Sequence, residues 1–291
     1  MEKHLLVTVS EQMSALYGVR FVGNFFVKKE KLKITLFYTT PRPSAIWEGE
    51  RTVEGLAEWE SQAKNYEAKG KKALESAKKE LQKMGFKSDS IITKLQIRQH
   101  SKVMDIIQEG EKGLYDALVL GRRGLTWLEE AFEDSVSKEL FEKKVNFPIW
   151  ICRKLDPARK NLLACVDGSD ASNRMVDHVG FIMSQETEQE VTLLTIRKKG
   201  GKVSDDSENI LSKSRAHLTH NGFPEEMVSN KILENNQPAE AILKEAKEGH
   251  FGAVALGRTG AGRGFLQKVF MGSVSDKLFR ELEGASLWIC Y

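Results

Sequence analysis

Short apolar runs alternate along this chain with longer segments in which apolar residues recur every three or four positions. In the C-terminal half, NLLACVDGS (161–169) is an apolar run broken by Asp167 and Gly168, the pattern of a buried strand that ends in a turn. Met175, Val179 and Ile182 then fall at i, i+4 and i+7 of SNRMVDHVGFIM (172–183), which predicts a helix. EVTLLTI (190–196) predicts a second strand, and a helix follows from Ser207 to a C-cap signal at Asn221-Gly222. EMVSNKIL (226–233) reads as a third strand. QPAEAILKEAKEG (237–249) reads as a helix with Pro238 in its first turn, Ala239, Ile242, Leu243 and Ala246 on one face, and Gly249 as its stop. FGAVALG (251–257), GSVSDKLFREL (272–282) and ASLWIC (285–290) complete the series as strand, helix and strand.

The N-terminal half repeats the order, with HLLVTV (4–9), KITLFY (33–38), SIITKLQI (90–97), YDALVLG (115–121) and FPIWICRKL (147–155) as strands. Its second helix is longer. Leu56, Trp59, Ala63 and Tyr66, then Leu74, Ala77 and Leu81, form a stripe at helical spacing that is expected to face the core. Strands that are apolar throughout, alternating with helices, belong to a parallel sheet covered on both faces. The expected class is α/β, with a five-stranded, mostly parallel sheet in each half.

The two halves are copies. Trp-Ile-Cys occurs at 150–152 and 288–290, an offset of 138; MGF (84–86) matches NGF (221–223) at 137; YDALVLGRRG (115–124) matches FGAVALGRTG (251–260) at 136; DSVSKELF (134–141) matches GSVSDKLF (272–279) at 138. Four landmarks in one order at nearly constant spacing indicate an internal duplication. Residues 1–155 and 156–291 are the expected domains, joined through the polar stretch KLDPARKN (154–161). The repeated Trp-Ile-Cys is then the last strand of each copy.

Composition narrows the function classes. A chain 41% hydrophobic and 29% charged suits a soluble globular protein, and a net charge of +3, without five consecutive Lys/Arg residues, implies no nucleic-acid partner. The start MEKHLLVTVSEQ is too short in apolar residues for a signal peptide, and no run approaches a membrane span. Cys152, Cys165 and Cys290 are odd in number, lack C-x-x-C spacing and sit in apolar runs, so they read as reduced, buried thiols of a cytoplasmic protein.

Ligands of open parallel sheets bind beyond the carboxyl ends of the strands. Two such ends in copy two carry unusual residues: Val166-Asp167-Gly168-Ser169, and GRTGAGRGFLQKVFMGSVSDKL (257–278). In the second, Gly257, Gly260, Gly262 and Gly264 follow a strand, Gly272-Ser273 opens a helix, and Arg258, Arg263 and Lys268 add cations. Glycines let backbone N–H groups approach an oxyanion closely, and a helix N-terminus adds donors and partial positive charge. The stretch reads as a phosphate cradle. It is neither a Walker A loop nor a dinucleotide fingerprint, because its glycines follow the fourth strand of the unit.

With ACVDGSDAS (164–172) and MGSVSDKLF (271–279) as its strongest words, the whole chain resembles a tandem universal stress protein. That family implies two Rossmann-like domains of the adenine nucleotide alpha hydrolase-like kind. Its ATP-binding members carry G-x2-G-x9-G-[S/T] after the fourth strand. The resemblance implies ATP, with or without Mg²⁺, as ligand: Asp167 meeting the adenosine or its metal-linked water, Val166, Thr195 and Ile196 bordering adenine, and Gly257, Gly260, Gly262, Gly272, Ser273 and Val274 cradling the phosphates. Gly262 lies at the family's spacing from Gly272-Ser273, but Gly257-x2-Gly260 sits two residues early, so the loop carries a two-residue insertion. The resemblance also implies assembly through the last strands, as a pseudo-dimer within one chain or as a homodimer.

Copy one departs further. Gly121-x2-Gly124 is followed by Asp134-Ser135 where the family has Gly, the first strand ends in Val9-Ser10-Glu11-Gln12, and Glu129, Glu130 and Glu133 lie between. A carboxylate 4 Å from a phosphate costs about 1 kcal/mol in water-like surroundings and about 4 kcal/mol at an effective dielectric near 20. Several of them outweigh the roughly 0.3–1 kcal/mol a helix terminus supplies, so copy one is expected not to bind ATP. His217 and His220 (i, i+3) lack supporting ligands in sequence and read as a solvated face, and no nucleophile–base pair is evident. The leading reading is an ATP-binding stress-response regulator or sensor. The alternatives are a nucleotide-free interaction scaffold and a slow ATPase.

Overall fold

The computed structural model describes residues 2–11, 16–43, 53–121, 145, 147–153, 155–200, 206–258 and 273–290. The chain divides into two compact units, residues 1–23 with 30–145 and residues 24–29 with 146–291.

In the first unit, β1 (Lys3–Thr8), β2 (Leu32–Thr40), β3 (Ile91–Ile97) and β4 (Ala117–Leu120) form a parallel sheet in the order β3-β2-β1-β4. The connections are α1 (Tyr17–Phe25), α2 (Val53–Lys83) and α3 (Lys102–Lys112). β1 sits centrally, and its Leu5, Leu6 and Val7 are fully buried, as its unbroken apolar run requires.

The second unit repeats the plan with β6 (Leu162–Cys165), α4 (Asp170–Met183), β7 (Val191–Arg197), α5 (Asp206–His220), β8 (Val228–Glu234), α6 (Pro238–Glu248), β9 (Ala253–Gly257), α7 (Ser273–Glu281) and β10 (Ser286–Cys290). Its sheet runs β5-β10-β9-β6-β7-β8, parallel throughout except that β5 (Ile149–Ile151) pairs antiparallel with β10. The first Trp-Ile-Cys strand therefore lies against the second, both within this unit. The end of α1 belongs here as well: Glu186 accepts backbone bonds from Val27 (3.0 Å) and Lys28 (3.2 Å), and Gln189 donates to the carbonyls of Phe25 (2.7 Å) and Lys160 (2.9 Å). These bonds satisfy a turn that would otherwise bury unpaired backbone groups.

Two helices end at glycines in the left-handed region, the one at Gly222 as the sequence signals. Gly222, at φ +86, closes α5 with Phe223 N–H donating to Leu218 O (3.1 Å), and Gly85, at φ +96, closes α2 with Phe86 N–H donating to Leu81 O (3.1 Å). Each unit also carries the same ion pair between a strand and the following helix: Lys94–Glu109 (2.6 Å) and Lys231–Glu245 (2.7 Å).

The stripe on α2 is only half core. Leu74, Ala77 and Leu81 are buried, but Leu56 is 49% and Trp59 38% exposed. β-ladder register makes Tyr38 the counterpart of Thr195, 157 positions on, whereas Gly85 and Gly222 differ by 137, so copy one holds 20 extra residues between these points. The surplus lengthens α2 to 31 residues against 15 in α5. Gly70 packs on Tyr38 and Leu95 near the ends of β2 and β3, and the turns before it have run past the strands that would cover them.

Candidate functional site

In the second unit the chain moves from β6 to β7 on one side and returns to β9 on the other, so the strand order reverses between β6 and β9. A crevice opens at such a switch point beyond the carboxyl ends of the two strands. β6 leads there into Val166, Asp167, Gly168 and Ser169, while β9 delivers Gly257 and Arg258 from the paired position, with Cys165 opposite Leu256. β7 adds Thr195 and Ile196: Val166 N–H donates to Leu194 O (2.8 Å), which holds the exit of β6 against β7 one residue before Thr195. Thr195 is buried and Ile196 half-buried.

The turn after β6 is fixed by its own side chains. Gly168 adopts φ +77, a conformation in which a side chain is strained, and a Cβ there would also come within 2.9 Å of Ile210 on α5. Asp167 Oδ1 accepts from Ser169 N–H (3.0 Å). Ser169 caps α4, its Oγ accepting from Ser172 N–H (3.2 Å), and Ser172 Oγ accepts from Asp167 N–H (3.3 Å). Ser172 is a site residue the sequence reading passed over, although the spacing Ser169-x-x-Ser172 places its N–H on the N-cap hydroxyl.

Gly257 has a separate reason to be glycine. A Cβ on it would lie 2.4 Å from the carbonyl carbon and oxygen of Ala171 and 2.5 Å from Ser172 N, so the end of β9 presses on the first turn of α4. Arg258 N–H donates to Cys290 O (2.6 Å), and its side chain is buried.

The first turn of α4 is capped by Ser169 and faces the exposed carboxylate of Asp167, which disfavours an anion there and suits hydroxyl or amino donors. Ser273, exposed, and Val274, half-buried, are the first described residues of α7. Gly260, Gly262, Arg263, Gly264, Lys268 and Gly272 lie outside the described residues, as do Gln12, Gly124, Glu129, Glu130, Glu133, Asp134 and Ser135 of copy one.

Burial keeps the three thiols protonated. Burial pushes Cys165 up, with the Glu245 carboxylate adding to the effect, and burial alone pushes Cys290 up. Cys152 rises to about 12 through burial, slightly offset by Ser286 Oγ at 3.4 Å. All three are free cysteines, and none is a thiolate nucleophile at neutral pH. Among the described residues no helix is long and apolar enough to cross a membrane.

A sequence model of the universal stress protein family matches this chain twice, over residues 1–153 and 158–284. A universal stress protein of Archaeoglobus fulgidus DSM 4304 shares 18% identity, covering 99% of this chain and 95% of that one, with a TM-score of 0.62. A functionally unknown protein of Pseudomonas aeruginosa PAO1 shares 14%, covering 99% and 92%, with a TM-score of 0.55. Both span the two repeats and bear on the fold. An Archaeoglobus fulgidus universal stress protein in complex with dAMP covers 52% of this chain and 97% of its own at 16% identity and a TM-score of 0.32, too distant to bear on the ligand here. No curated protein matches the chain significantly.

Proposed function

The chain belongs to the universal stress protein family, and from that premise we propose that it is a cytoplasmic, ATP-binding regulatory or sensor protein whose second repeat holds the nucleotide and whose first repeat, residues 1–155, is its degenerate companion in a pseudo-dimer. The observation that carries this reading is the meeting of the Asp167 turn with the end of β9 at the switch point of the second sheet. The residues there fit an adenine nucleotide laid with its nucleoside end towards β6 and β7. Val166, Thr195 and Ile196 supply an apolar border for the base, and Asp167 accepts from ribose hydroxyls. The Ser169 N–H holds that carboxylate in place. The phosphates are assigned by the family motif to Gly257, Arg258, Gly260, Gly262, Arg263, Gly264, Gly272, Ser273 and Val274, residue types whose backbone amides and guanidinium groups supply donors and positive charge. Mg²⁺, where it accompanies ATP, would add charge neutralisation at the phosphates.

The test is direct. Mass spectrometry of protein purified without added ligand is expected to release an adenine nucleotide. Calorimetric titration is expected to give one ATP per chain. Gly272→Asp, which copies position 134 into the second repeat, is expected to abolish that binding, and an unchanged affinity would put the phosphates elsewhere.

A further inference from the structure

Equivalent positions of the two repeats can be assigned from strand register. Leu5 pairs with Ile34 in β1 and β2, and Leu162 pairs with Val191 in β6 and β7. Counting from these pairs, Ser10 takes the place of Asp167, Glu11 that of Gly168, and Tyr38 that of Thr195. The backbone agrees: Val9 N–H donates to Phe37 O at 2.9 Å, as Val166 N–H does to Leu194 O at 2.8 Å.

The side chains at these equivalent points differ in size and in what they join. In the second unit the positions hold Gly168 and Thr195, a bare backbone and a short side chain. In the first they hold Glu11 and Tyr38, and the Tyr38 hydroxyl donates to Glu11 Oε1 at 2.7 Å, so one side chain reaches from the end of β2 to the turn after β1. Tyr38 is only 4% exposed. Its ring lies so close beneath α2 that a Cβ on Gly70 would come within 2.9 Å of two ring carbons. A glycine in the interior of a long helix is unfavourable in itself, and here its absent side chain makes room for the phenol.

We infer that Tyr38 and Glu11 close the N-terminal repeat from within, the phenol ring occupying the place that the base of a nucleotide takes in the C-terminal repeat. The inference rests on the proposed placement of the base beside Val166, Asp167, Thr195 and Ile196. It assigns the expected silence of the first repeat to its base end, independently of the acidic residue types at 129–134. A flat aromatic ring of comparable width fills the crevice, and an incoming base would have to expel it and break its bond to a carboxylate.

Adenosine separates the two causes, because an uncharged nucleoside is indifferent to the acids. In the full chain, Tyr38→Thr combined with Glu11→Gly is expected to raise adenosine stoichiometry from one to two per chain, read by equilibrium dialysis. A ratio that stays at one overturns the inference while leaving ATP binding in the second repeat intact. A wild-type ratio of two overturns it as well. No uptake of ATP or adenosine by the wild type sinks the placement in the second repeat, and a nucleoside gained by the variant alone still supports the closed first repeat. A second measurement needs no substitution: photolabelling of the wild type with 8-azidoadenosine is expected to leave residues 32–40 unmodified, and label found there overturns the inference.

Discussion

Trp150 and Trp288 stack with ring centroids 4.0 Å apart and planes 6° from parallel, from directly paired positions of the antiparallel strands β5 and β10. Ile149 pairs with Ile289 and Ile151 with Leu287, so two copies of one strand meet symmetrically about the tryptophans, in the manner of an isologous contact. Phe26 stacks on Trp150 at 5.9 Å and Phe25 meets Trp288 edge-on at 5.7 Å, which packs the end of α1 into the same cluster. Both tryptophans are fully buried. Replacing either by Ala is expected to cost about 3–5 kcal/mol. The double variant should depart from additivity by about 0.5–1.5 kcal/mol, the coupling of an aromatic pair. Urea unfolding followed by near-ultraviolet circular dichroism measures all three, and strict additivity would deny the stack any energy of its own.

His178 on α4 completes the cluster, its Nε2 accepting from Trp150 Nε1–H at 3.3 Å. Accepting requires the neutral ring, and burial lowers its pKa from 6.5 to about 3. The unfolded chain takes up this proton below pH 6.5, whereas the folded one does so only near pH 3. Between those values the unfolded state binds more protons, and stability falls as the pH drops. About 2 kcal/mol is expected to be lost between pH 7 and pH 5 through this one residue. His178→Gln should flatten the urea midpoint over that window relative to the wild type, although it lowers the midpoint at pH 7.

Gly257 couples packing to the candidate site. A methyl group there meets the backbone of Ala171 and Ser172 rather than a movable side chain. Gly257→Ala is therefore expected to destabilise the second unit by about 1–3 kcal/mol. It should also push the first turn of α4 away, loosening the Ser172 Oγ bond that holds Asp167 N–H. Thermal unfolding and ATP titration together check this, and lost stability with full affinity would detach the turn from the ligand.

Both the duplication and the succession of strands and helices could be read in the sequence because each rests on local patterns: apolar runs that reappear at near-constant offset, and Gly222 where a helix stops. The turn at Asp167-Gly168 was legible for the same reason, whereas the Ser169 cap on α4 emerges only from the structure. Leu56 and Trp59 misled because periodicity states that a helix has an apolar face and not how far a sheet extends beneath it. Tyr38 was unremarkable as a strand residue. Its meaning depends on Glu11 and Gly70, distant in sequence, and on the register that equates it with Thr195. The meeting of β5 and β10 was anticipated only through the family resemblance, and its antiparallel sense not at all, because a repeated Trp-Ile-Cys says that two strands are alike and nothing about which partner each takes.

The duplicated ion pairs provide an internal comparison. Glu245 is nearly buried and is held by Lys231 at 2.7 Å, and Glu109 is held by Lys94 at 2.6 Å. Glu109 accepts a second bond, from the Tyr115 hydroxyl at 2.8 Å, whereas the equivalent position in the second repeat is Phe251, which offers no donor. Burial, followed by the bond to Glu109, pushes the Tyr115 phenol up to about 12, so that donor persists through the neutral range. Removing a lysine strands a buried carboxylate, at a cost of about 1–3 kcal/mol when no other donor remains. Lys231→Met is accordingly expected to cost more than Lys94→Met. Adding Tyr115→Phe to Lys94→Met should bring the first repeat to the same loss. Hydrogen exchange at amides of α3 and α6 reads each unit separately, and equal losses for the two single variants would show that the phenol gives Glu109 no support.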